Sequence, residues 1–86
     1  PEREALADEL KSTIYMAIDD LPSDLREAIT LREIEGLSYE DIAVVMDCPI
    51  GTVRSRIFRA REAIDEKLEP ILDDDSRHVS SSFSGS

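Results

Sequence analysis

Four arginines, Arg54, Arg56, Arg59 and Arg61, fall within residues 48–61, a stretch that contains no acid. The chain around it is strongly acidic: of a formal net charge of −10 over 86 residues, this stretch carries +4 and the remainder −14. A guanidinium is a planar fork of donors that stays charged at any ordinary pH, and its geometry suits a phosphate or the O6/N7 edge of guanine. Ser55, set among these arginines, can donate or accept a hydrogen bond. Phe58 offers an apolar surface that packs on a thymine methyl group, which gives an exposed aromatic a reason to be there. Gly51 and Thr52 stand where a helix begins, and free amides at Gly51, Thr52 and Val53 would hold a phosphate. This is recognition chemistry for a polyanion, and a basic face on an acidic body is the charge pattern such recognition leaves.

Other chemistries find little support. Cys48 is the single cysteine, so there is no intramolecular disulfide framework, and a reducing cytoplasm is the expected location. His78 stands alone in a polar stretch, and no set of metal ligands can be assembled. No nucleophile–base or carboxylate pair has a pocket to act in, so neither catalysis nor a cofactor is expected. The longest apolar run, residues 42–46, is far below the ~18 residues that span a bilayer, and the charged opening has no signal-peptide core. A chain that opens on Pro1 rather than Met reads as one domain of something longer. The pattern by itself leaves a second class open, a basic helix docked on an acidic partner protein.

Four helices must position these residues. Leu6, Leu10, Ile14, Ala17, Ile18 and Leu21 recur at steps of three and four, which predicts an amphipathic helix over residues 3–20. Pro22 stops it and opens a second helix reaching Glu35, with Leu25, Ala28, Ile29 and Ile34 inward, Leu31 nearby, and Gly36 as left-handed cap. Ser38 caps a short third helix, Asp41 completing a capping box, with Tyr39, Ile42, Ala43 and Met46 buried. A tight turn over residues 48–51 leads into a fourth helix whose core face is Val53, Ile57, Ala60, Ile64 and Leu68. Subtracting that face leaves two outer rows, Arg54-Phe58-Arg61 and Ser55-Arg59-Glu62. Pro70 closes the fourth helix. Residues 1–72 thus form an all-α, four-helix domain ending in a helix-turn-helix, of winged-helix-like class without a wing. Residues 73–86 read as a disordered, acidic and serine-rich tail.

The strings LPSDLREAITLREIEGLSYEDIA over residues 21–43 and DCPIGTVRSRIFRAREAI over residues 47–64 resemble region 4 of extracytoplasmic-function RNA polymerase sigma factors, the sigma-E/AlgU-like envelope-stress group. The likeness covers residues 1–72. It implies recognition of the −35 promoter element, of GGAAC type, by a stress-response transcription factor that is not an enzyme. It further implies that Arg54, Ser55, Phe58 and Arg59 meet bases and backbone, that Arg56 and Arg61 serve mainly phosphates, and that Gly51 and Thr52 lie at the helix start. The implied partners are promoter DNA, the β flap of core RNA polymerase and an anti-sigma factor, with no membrane. The tail after Leu72 departs from the ends expected of that family.

Overall fold

The computed structural model describes the backbone of residues 2–83 and the side chains of residues 3–73. All regular elements of the described residues are helical: α1 (Glu2–Asp20), α2 (Ser23–Ile29) running on into a π-helical turn (Thr30–Ile34), α3 (Tyr39–Met46) and α4 (Ile50–Phe83). α4 packs against each of the other three helices. The core lies along it, where Val53, Ile57, Ala60 and Ile64 meet Ala17, Ile18, Leu21, Ala28, Ile29, Leu31 and Ile42. Val53 and Ile57 are 0% and 1% exposed, so each contributes about 1.5–3 kcal/mol by burial and fixes which face of α4 is left outward.

The junctions reflect local chemistry. Leu21 donates its N–H to the Ile18 carbonyl at 3.1 Å, and Pro22, in extended conformation, accepts from the Arg26 N–H at 2.9 Å, so α1 ends and α2 begins within two residues. The Arg26 guanidinium donates to the Asp19 carbonyl at 3.2 Å and ties the two helices together. Ser38 Oγ accepts from the Asp41 N–H at 3.1 Å, the N-cap bond expected there. The return bond of the capping box is not made.

Two departures concern helix phase and length. Ile34, expected inward, is 54% exposed. The cause is the π turn: the Glu35 N–H reaches back five residues to the Thr30 carbonyl at 3.1 Å, and the added residue rotates the end of the helix away from the core. Leu31 takes the buried place instead. The capping bond after Gly36, at φ +74°, runs from the Leu37 N–H to the Leu31 carbonyl at 3.0 Å, one residue wider than the usual Schellman closure. The second departure is Pro70, which lies inside α4 and does not close it. A proline removes one N–H and strains one carbonyl but already has a helical φ, and here no competing cap or turn offers the chain another path. The backbone is therefore helical through residues 73–83 of the stretch expected to be disordered, and residues 84–86 lie outside the described residues.

Candidate nucleic-acid interface

The turn between α3 and α4 sets the angle at which the basic helix is presented. Asp47 adopts the left-handed conformation, φ 53° and ψ 54°. Its N–H donates to the Val44 carbonyl at 3.2 Å and the Cys48 N–H to the Ala43 carbonyl at 3.0 Å, a complete Schellman closure made on aspartate in place of glycine. Cys48 is half-buried against the core, in keeping with a turn residue. Pro49 then starts α4, its carbonyl accepting from the N–H groups of Thr52 at 3.0 Å and Val53 at 3.2 Å. This corrects one expectation: of the amides of Gly51, Thr52 and Val53, only that of Gly51 remains free of a backbone acceptor, joined by that of Ile50.

With Val53, Ile57 and Ala60 buried, the outward face of α4 carries Gly51, Arg54, Ser55, Phe58 and Arg59, all exposed. Phe58 is 64% exposed and is not among the residues packed against the core. Thr52 and Arg56 are half-buried on one flank, where a shallow groove brings them together with Asp24, Pro49, Gly51, Ser55 and Arg59. Arg54 and Arg61 lie on the other flank, beside Tyr39 and Glu33. Glu62 and the acids beyond it end the basic face after its third turn.

Two of the four arginines already have partners. Arg56 Nε lies 3.7 Å from Asp24 Oδ2, and its Nη1 approaches Cys48 Sγ at 3.8 Å. Arg61 pairs with Glu33, from a residue 28 positions earlier in the chain, and not with the nearer Asp65 that its helical spacing allows. The hydrogen bond that Arg61 donates to Glu33 raises the Arg61 pKa above its ordinary value, against the opposing effect of burial, and the charge of Glu33 and the nearby Tyr39 add to the rise. Arg61, like any arginine, is a cation at ordinary pH. Both pairs are substantially exposed and add little to stability. Of the four, Arg54 and Arg59 have no carboxylate partner among the described residues.

The site thus includes residues that helical spacing within α4 does not reveal. Asp24, Arg32, Glu33 and Tyr39 come from other helices, and only the tertiary fold brings them to the arginines. Tyr39, expected in the core, is half-buried there and also lies under two guanidinium groups, of Arg32 at 4.7 Å and Arg54 at 5.8 Å from the ring centroid. Among the described residues no cluster of His, Cys, Asp and Glu could hold a metal ion, and no helix is long and apolar enough to cross a membrane.

Comparison with known proteins agrees with this architecture. The family described as Sigma-70, region 4 matches residues 11–64. The chain is similar to the RNA polymerase sigma-H factor of Pseudomonas aeruginosa, 68% identical over 72 residues that make up 84% of this chain and 37% of that protein. It is similar also to the ECF RNA polymerase sigma-E factors of Escherichia coli and Salmonella typhimurium, 62% identical over 72 residues, 84% of this chain and 38% of each relative. The chain therefore spans under two-fifths of the length of these relatives.

Proposed function

The chain belongs to the Sigma-70 region 4 family, and from that premise we propose that it reads the −35 promoter element for an extracytoplasmic-function sigma factor of the envelope-stress type. It acts by binding, as part of a transcription initiation factor, and carries out no chemistry of its own. The observation that carries this reading is the outward face of α4 over residues 51–61, which holds no acid, with Phe58 64% exposed between Arg54 and Arg59. A helix so presented fits the major groove, where its N-terminal turns meet base edges. Arg54 and Arg59 supply bidentate donors, Ser55 a donor or acceptor, and Phe58 an apolar contact for a thymine methyl. Gly51 and Thr52 approach the strand at the helix start, Gly51 through its free amide. Arg56 and Arg61 reach phosphates by exchanging their carboxylate partners, Asp24 and Glu33, for the DNA backbone.

The body of the domain serves assembly with RNA polymerase in the cytoplasm. An apolar groove between α1 and the π turn, lined by Leu10, Ile14, Tyr15, Ile18 and Ile34 among others, supports docking of the polymerase β flap or of an anti-sigma factor. Polymerase placement matters because a domain of net charge −10 binds a polyanion weakly by itself. Tethering raises the effective concentration of α4 at its site without any new contact.

The test is a footprint of polymerase holoenzyme carrying Arg59→Ala. Loss of protection over the −35 element with polymerase binding intact is the expected result. Unchanged protection would refute the reading and leave docking on an acidic protein as the use of the basic face.

A further inference from the structure

Arg56 and Arg61 end on carboxylates, whereas Arg54 ends over an aromatic ring, its guanidinium carbon 5.8 Å from the Tyr39 centroid. That ring is itself held. Its side chain packs against the core, and the Arg32 guanidinium lies over it at 4.7 Å. Arg32 in turn is fixed, because its Nη1 donates to the Leu37 carbonyl at 2.9 Å in a partly buried bond. A continuous set of contacts therefore runs from the Leu37 carbonyl through Arg32 and Tyr39 to Arg54. A free arginine loses much rotamer freedom when it orders on a ligand, and one already laid on a fixed ring loses less.

We propose that Tyr39 is a positioning residue for Arg54: the face of its ring aligns the guanidinium at the start of α4, and so sets selectivity at the base pairs that Arg54 reads. The proposal rests on the DNA-reading function of α4. It assigns the effect to the π face of Tyr39 and gives the hydroxyl no part in it.

Polymerase holoenzyme is measured against a panel of promoters, each with one base pair of the −35 element changed. Arg54→Ala first identifies the base pairs whose discrimination depends on Arg54. At those positions Tyr39→Leu reduces discrimination by about two- to five-fold, the size of an exposed cation–π contact, and leaves the other positions unchanged. Tyr39→Phe, which keeps the ring, retains full discrimination. In an Arg54→Ala background Tyr39→Leu has no further effect on selectivity. Uniform weakening across the panel overturns the proposal, since loss of packing alone produces it; Tyr39→Met, with a more adaptable side chain, repeats the test if the leucine variant folds poorly. Loss of discrimination in Tyr39→Phe, or additive losses in the double variant, also overturns it. Absence of any base preference in the wild type would remove the DNA reading itself, an outcome distinct from these.

Discussion

Gly51 is held as glycine by nothing in its own fold: a Cβ there would meet no atom within 4 Å, and the residue sits in the first turn of α4 with an ordinary helical φ. Alanine is a better helix former by up to about 1 kcal/mol, less at a helix start. The fold therefore predicts that Gly51→Ala is at least as stable as the wild type in thermal melts, while its affinity for −35 DNA falls because the added methyl group meets the strand. A variant that keeps full affinity would show that the backbone does not approach DNA at this position. Phe58 is the converse case, a large group exposed where the fold has no use for it. Both residues are legible in the sequence because their oddity is local. Arg56 and Arg61 are legible only as charges, since Asp24 and Glu33, which hold them, lie on other helices and leave no periodic trace.

The helix ends carry the precision of the fold at the next scale. Gly36 occupies φ +74°, where an L-residue with a Cβ costs about 1–2 kcal/mol, so Gly36→Ala should lower the melting temperature by several degrees for a domain of this size. Asp47 is the only other described residue in the left-handed region, so Asp47→Gly should raise it, through an added stability of up to about 1 kcal/mol. An unchanged melt for both would mean that the left-handed conformation carries no measurable cost at either position. The sequence disclosed the glycine cap, because glycine advertises the left-handed region, and hid the aspartate cap, because aspartate has many other uses. The π turn was hidden for a related reason. Its residues Thr30–Ile34 have ordinary helical character, and only packing of Leu31 into the core selects the wider turn. Pro70 misled in the other direction, as a local signal strong enough to predict a stop that the long helix passes through.

For the whole molecule, shape and charge are both uneven. The 34 residues of α4, about 50 Å of helix, account for the 53 Å long axis, so the folded core surrounds only part of the helix that carries the reading face. Charge is divided as sharply, with the basic face on a body that gives the whole a net −10. A protein that neutralises a phosphate releases counterions worth about 0.9 in the slope of log affinity against log salt. Arginines already paired with carboxylates release fewer, so the wild-type slope should fall short of the one expected from four free arginines. Glu33→Gln frees Arg61 and should steepen the slope by up to about 0.9 while raising affinity at low salt. Titration of binding against salt decides this; an unchanged slope would mean that Glu33 does not compete with phosphate for Arg61. Folding should be little affected, as the pair is half exposed on both sides.

The π turn has a consequence that is one of angular phase. A helix with a constant repeat can keep only one stripe facing one direction, and α2 keeps Ala28 and Ile29 toward the core. The extra residue in the turn resets that phase within a single helix, so that Leu31 still closes the core while Ile34 faces α1 and Glu33 reaches Arg61 of α4. One short segment thereby addresses three neighbours in three directions.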